Sequence, residues 1–600
     1  MTEHKHIGKI VAALMAAAVA FCLILTLFAD RITAVSGSSA ATMEYESGLF
    51  DTSQIMTVNI IMDEDQWQDL LDNAISEQYY ACDVEINGEK ISNVGIRTKG
   101  NTSLSSIVND PDTDRYSFKI KFDKYVDGQT CMGLDKLVLN NNFADATNRK
   151  EALVYDMFRY LGADASLYNY AKISVNGEYW GTYLALEAVE DSFKLRNYGV
   201  SDGKLYKPET MGMGNDQKDQ KADFRPFNGE SDRNFDGEFP NFGSPNQNGD
   251  GKEPPEKPDM VLGDDADDGT DGGGWSQKMK EDTDWEKEGG SPSDFEQAGN
   301  QNRDEKEPPE KPDMVLGDDT DDGTGGGDRT QKPDGDEARN MGNRNGGADL
   351  NYTDDDPDSY STIWDGAAGK LTDDDKERVV TAIRNINEGT DLETYLDVDN
   401  ILKYMAVHEF VVNLDSLSGN MAHNYYLYEE NGQLNIIPWD YNLSFGGMTN
   451  GGNGGPGGGF SEGEGDDATD MINDPVDTPF DGTDFFDALL ENKEYLEQYH
   501  EYLRQLAEEY VQGGRLQEVW ERLDEQTDEL MESDPTAFYT AEEYEEAKDT
   551  LWQVLQLRAE SVLGQLDGSI PSTDDGQKEA QDTLIDGSGI DLSVMGEFNH

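Results

Sequence analysis

Cysteine, histidine and positive charge are all scarce in this chain, and each shortage removes a class of function. Only three of the 600 residues are cysteine, too few for a disulfide-rich scaffold; Cys82 and Cys131 leave room for one bridge. The six histidines show no metal-ligand spacing, and no nucleophilic triad is apparent. Lys and Arg total 47 against 124 Asp and Glu, a net charge of -77. Such acidity repels nucleic acid and anionic lipid, so no nucleic-acid partner is expected. Long hydrophobic runs are equally rare, with one exception at the start.

That exception is IVAALMAAAVAFCLILTLFA, residues 10–29, twenty residues without a charge. At about 1.5 Å per helical residue it would span the roughly 30 Å hydrocarbon core of a bilayer. Lys5 and Lys9 precede it and Asp30 follows, which predicts a single-pass anchor in the cell membrane with the bulk of the chain extracytoplasmic. The alternative is a cleaved signal segment and a secreted protein, although no small-x-small site closes the run.

Residues 43–209 read as globular. IMTVNIIM, YYACDVEIN, VGIRTKG, YSFKIKF and KLVLNNN are short, alternating and rich in β-branched or aromatic residues, as strands should be. RKEALVYDMFRYLG spaces its apolar residues for one helix face and ends at Gly162. Two further strands flank Asn176-Gly177, a strong hairpin signal. Residues 210–346 break this pattern with Gly, Asp, Asn, Pro and Lys. Here EPPEKPDMVLGDDADDGTDGGG at 253 recurs as EPPEKPDMVLGDDTDDGTGGGD at 307. So little apolar surface cannot offset the entropy of ordering, which predicts a disordered acidic insert. The calcium-loop alternative at NQNGDG lacks the closing Glu, because Lys257 stands there.

Order is expected to return at 347–450, with helices over 373–387 and 391–414 and a hairpin about Asn431-Gly432. A Gly-rich and acidic linker, 451–482, leads to a helical region, 483–566, and a polar tail, 567–600. The hairpin's second strand runs into IIPWDYNLSFGG, so the Asp440 carboxylate stands at the end of an apolar strand. Asp415, in NLDSLSGN, follows a helix, and Asn420 and Asn424 lie between the two. Two carboxylates with carboxamide oxygens around a tight hairpin form a hard-oxygen set suited to Mg²⁺. The spacing also matches a kinase pattern, an Asp by the substrate hydroxyl, an Asn on metal, and a hairpin to a second metal-binding Asp. Asp and Asn at helix ends also serve as ordinary caps.

The stretches GIRTKGNTS, YSFKIKF, LNNNFADATNRKEALVYDMFRYLG, ISVNGEYWGTYLALEAVEDSF, GKLYK and NYYLYEENGQLNIIPWDYNLSFGG resemble the spore coat protein H (CotH) kinase family. They fall in that family's order over residues 90–210 and 347–450. The resemblance implies an α+β, two-lobed atypical protein-kinase-like domain, split by the insert and followed by the helical region. It implies transfer of the ATP γ-phosphate, with Mg²⁺ or Mn²⁺, to Ser or Thr of surface or secreted proteins. It places the catalytic Asp on Asp415 and a metal Asp on Asp440, with Asn420 and Asn424 as further metal candidates. The literal HRD and DFG triplets of kinases are absent.

Phosphoryl transfer also needs a cation on the phosphates and a helix carboxylate to hold it. Lys119 in YSFKIKF and Glu151 after NRK are the candidates, with Lys121 the same-face alternative and solvated lysines the plain one. Gly100, Asn101, Thr102 and Ser103 are candidates for a loop whose N–H groups meet phosphate, or else form a plain hairpin turn. Arg97 and Arg149 are further cations or structural ion pairs; Trp180 and Tyr183 suit the core better than an adenine. The rival function is a catalytically silent surface scaffold or adhesion protein, and oligomeric state is left open.

Overall fold

The computed structural model describes residues 42–210, 346–419, 421–448, 467–480 and 482–596. They fall within one compact unit built from residues 1–218 and 331–600, a β-rich N-terminal region and a helical C-terminal region. The expected division into two lobes does not emerge as separate units.

Seven strands close into a barrel in the order β1-β2-β3-β4-β5-β7-β6. They are β1 Met56–Ile61, β2 Tyr80–Ile86, β3 Glu89–Lys99, β4 Ser117–Lys121, β5 Lys136–Asn140, β6 Tyr168–Val175 and β7 Glu178–Glu187. Neighbours pair antiparallel except at the closure, where β1 and β6 run parallel. Alternation fixes the faces: Val94 and Ile96 of β3, Phe118 and Ile120 of β4, and Leu137 and Leu139 of β5 fill the barrel core. Arg97 and Lys119, paired across β3 and β4, therefore lie on the outer face. The turns β2–β3 and β6–β7 are made by Asn87-Gly88 and Asn176-Gly177, each with both residues at positive φ.

Helix α1, Lys150–Leu161, ends at Gly162 with φ 70°. Its residues join a second core with β8 Lys204–Tyr206, β9 Tyr425–Glu430 and β10 Gln433–Pro438, and with helices α2 Asp373–Asn387 and α3 Val398–Val411. The strands form a sheet of order β10-β9-β8. Helices α4 Lys493–Arg504, α5 Arg515–Glu532 and α6 Ala541–Asp567 complete this core. Arg149, fully buried, reaches Asp524 at 2.6 Å and Asp528 at 2.8 Å on α5. Arg115, just before β4, reaches Asp534 at 2.8 Å.

Several expectations are corrected. The helix expected over 391–414 is broken into Leu392–Tyr395 and α3, because Leu396 bridges to Leu434 and the Asp397 N–H bonds to Leu434 O. Residues 467–480 of the expected linker carry a helix, Asp467–Ile472, and bury Ile472 and Val476. The tail is not free, since Leu592 and Met595 are buried and Met595 O accepts the Ala146 N–H. Cys82 and Cys131 are free and buried, and burial pushes each thiol up to about 12, so the possible disulfide is not made. The single-pass membrane localisation is withdrawn: no helix of the described residues is long and apolar enough to cross a membrane. Residues 10–29 lie outside the described residues, as do Asn420 and the insert with its repeat and calcium-loop alternative.

Candidate active site

Strand β10 is buried from Leu434 to Pro438 and pairs along its whole length with β9, Pro438 standing opposite Tyr425. The open end of this hairpin brings together His423 and Asn424, which enter it, and Trp439 and Asp440, which leave it. Asn424 has φ 56° and Asp440 φ 62°. Left-handed backbone is disfavoured for L residues but tolerated best by Asn and Asp, so the chain turns sharply at both points while presenting a polar side chain.

Asp415 follows α3, which stops at Val412 with φ 49°, an unusual conformation for a β-branched residue. Its Oδ1 lies 2.7 Å from His423 Nε2. Asn424 Nδ2 donates to Asp415 Oδ2 at 3.0 Å and to the Asp415 carbonyl at 2.9 Å. Asn424, expected beside a metal, thus turns its amide nitrogen to Asp415 and fixes the orientation of that carboxylate.

Lys207 follows β8 and pairs with Glu209 at 2.8 Å. Burial opposes the Lys207 charge, but Tyr426, Glu209 and Asp440 outweigh it and raise its pKa. Burial likewise works against ionised Glu209, and Lys207, His423 and Lys119 overcome it and lower its pKa. The Lys207–Glu209 ion pair thus lies within electrostatic reach of both His423, which bonds Asp415, and Asp440.

Glu151, in the first turn of α1, is fully buried. Its Oε2 accepts from Asn140 Nδ2 at 2.6 Å, and the Tyr441 backbone N–H also points at the carboxylate. Burial first, then the Asp440 charge, raise its pKa, with Lys99 opposing. Lys119 makes no ion pair with Glu151 among the described residues; the cation acting on Glu151 is Lys99, whose Nζ sits 5.7 Å from the Trp439 ring centre. Lys119 belongs to a cationic group on the outer barrel face. Burial, together with Arg97, Lys136 and Lys207, pushes its ammonium down to about 7 against the pull of Glu190.

The remaining candidates sort by their contacts. Lys121 pairs with Asp123 at 3.5 Å, and Arg97 with Glu77 at 2.6 Å. Arg149 is a structural clamp on α5. Tyr183 is in the barrel core, with Trp180 packed against it and donating to its hydroxyl at 3.1 Å. Gly100, with φ 132°, turns β3 into a short helix, Thr102–Val108, with Asn101 at its N-cap position. A Cβ on Gly100 would meet Ser103 Oγ at 2.9 Å, so a tight strand-to-helix turn, not a hairpin, occupies 100–103. Sequence reasoning passed over Lys99, Lys207, Glu209 and His423. Lys207 had a signal, since it closes the GKLYK stretch; His423 had none.

Among the described residues no group of three or more His, Cys, Asp or Glu could hold a metal. Asp440 and Glu151, near enough for the Asp440 charge to act on Glu151, nonetheless offer two carboxylates as hard oxygen donors. That set suits Mg²⁺ or Mn²⁺ arriving on a nucleotide, which needs one or two carboxylates and takes other ligands from phosphate and water.

The sequence profile of the CotH kinase protein family matches residues 96–249 and 330–562, well over half of the chain. The chain belongs to the CotH kinase family. None of the curated proteins matches it. In this CotH family member the match takes in Lys99, Lys119, Glu151, Lys207, Asp415 and Asp440, and passes over 250–329 within the expected insert. It also runs through α4, α5 and most of α6, so the helical region is part of what the family shares. Membership makes the protein kinase-like.

Proposed function

We propose that this CotH family member transfers the γ-phosphate of ATP to Ser or Thr hydroxyls of protein substrates. The observation that carries this reading is the placement of Asp415 and Asp440 about one hairpin's open end, with the Lys207–Glu209 ion pair within electrostatic reach of His423, of Asp440 and of Lys119 on the cationic barrel face. Asp415 stands by the incoming hydroxyl and takes its proton, with His423 and Asn424 holding the carboxylate in place. Lys119 and Lys207 supply positive charge for the phosphates. Asp440 and Glu151 would hold a divalent ion, which would supply positive charge against the charge developing on the transferred group.

The test is phosphorylation by the full chain with labelled ATP and Mg²⁺ or Mn²⁺. Asp415→Asn keeps shape and removes the base, so nucleotide binding should survive while transfer falls on the order of 10²- to 10⁴-fold. Asp440→Asn should also weaken Mg²⁺-dependent nucleotide binding. If both variants transfer as well as the parent, these roles are wrong. No transfer by the parent with either metal favours the inactive scaffold.

A further inference from the structure

A second polar cluster lies behind the two aspartates. His408, on the last turn of α3, is 2 % exposed. Its Nε2 lies 2.7 Å from Ser418 Oγ and 3.1 Å from Ser416 Oγ, and its Nδ1 lies 3.0 Å from the Tyr441 hydroxyl. Both serines also donate to Asn413 O, at 2.8 and 3.0 Å. A neutral imidazole has one donor and one acceptor nitrogen, so the ring bonds the serines through Nε2 and Tyr441 through Nδ1 in either tautomer. Burial holds the ring neutral, pushing its pKa down to about 3, which this one-donor, one-acceptor arrangement requires. Phe480 stacks on the imidazole at 5.0 Å and 18°.

A Ser–His pair of this kind suggests nucleophilic catalysis, but Ser416 is 0 % and Ser418 7 % exposed, so no substrate reaches them. Their place in the chain is informative. Ser416 and Ser418 directly follow Asp415 in its loop, and Tyr441 is the residue after Asp440. A backbone bond from Phe445 N to Val411 O, 2.8 Å, draws the same two segments together.

We propose that His408 is a positioning residue for phosphoryl transfer, its ring tying the Asp415 loop on one side to the Asp440 loop on the other. This rests on the kinase reading above. A displacement of about 1 Å between reacting groups can cost on the order of 10²-fold in rate, so one rigid imidazole joining both loops bears directly on their alignment.

The test compares His408→Phe, which keeps an aromatic ring for the stacking but loses both bonds, with Tyr441→Phe, which removes one hydroxyl and keeps the ring. Rates are taken per folded molecule, with KM for ATP and nucleotide affinity measured alongside. The expected result is a 10- to 100-fold fall in kcat for His408→Phe and a smaller one for Tyr441→Phe, with KM within about threefold. The double variant should lose no more than His408→Phe alone, because both act through one bond. Additive losses, or an unchanged kcat in Tyr441→Phe and His408→Phe while the parent transfers phosphate, overturn the positioning role and leave the kinase reading standing. A parent that transfers no phosphate overturns both.

Discussion

At the scale of single residues, Lys119 carries the clearest pH signature. Its ammonium, pushed down to about 7 in the folded chain, is partly neutral at physiological pH, yet phosphate contact needs it charged. Nucleotide binding should therefore take up a proton and weaken as pH rises from 6 to 8.5. Lys119→Arg stays charged throughout that range, so calorimetry should show its affinity nearly flat with pH; a parent with no such slope would remove Lys119 from the phosphate site. Stability has its own sign. A lysine depressed in the fold costs stability as pH falls toward 7 and nothing above its unfolded value, so Lys119→Met should stabilise the apo chain at pH 6 and not at pH 10.5. The sequence made Asp415, Asp440 and Glu151 visible because carboxylates beside strand and helix ends are conspicuous. The cation beside Glu151 was not, because that depends on which strand neighbours α1. Lys99 and Lys119 share the outer barrel face, and only the folded register shows that Lys99 acts on Glu151.

At the scale of elements, the β9–β10 hairpin sets where Asp440 stands. Its turn uses Asn431 at φ 55° and Gly432 at φ 88°, which suits a two-residue connection with both positions left-handed. Gly432→Val puts a β-branched residue in that conformation and should cost on the order of 1–2 kcal/mol. Because the turn fixes register, transfer should fall by more than the loss of folded protein explains. Thermal melting and per-molecule rate, measured together, check this; an unchanged rate in the folded fraction would free the site from the turn. Asn-Gly turns and alternating runs were readable because both signals are local. The break before α3 was not, since its cause is the pairing of Leu396 with Leu434, 38 positions along the chain.

At the scale of the whole molecule, neither barrel closure nor the clamp of the last helices on the barrel could be read from the sequence. Strands β1 and β6 join more than a hundred positions apart, and no local pattern specifies a parallel pairing of that reach. The Arg115 side chain is 2 % exposed and that of its partner Asp534 0 %, and Arg115 also donates to the carbonyls of Asn141 and Thr182. Breaking such a buried pair leaves an uncompensated charge at a cost of about 3–5 kcal/mol. Arg115→Met should lower unfolding free energy by that order, and adding Asp534→Leu should restore part of it. Denaturant titration tests both. A single substitution that costs nothing would mean that the last helices do not hold the barrel through this pair.

That clamp also has a consequence for how the chain is born. Arg115 emerges from the ribosome 419 residues before Asp534. At roughly 5–20 residues per second the barrel waits about 20–80 s for its anionic partner. During that interval Arg115 and Arg149 have no carboxylates from α5 or the segment after it, and α1 lacks the helices that cover it. The parts of the site therefore arrive in sequence: Lys119 and its charged neighbours Arg97, Lys136, Glu190 and Lys207 are made early, Glu151 waits for Asp440, and the arginines that clamp the barrel wait for the end of synthesis.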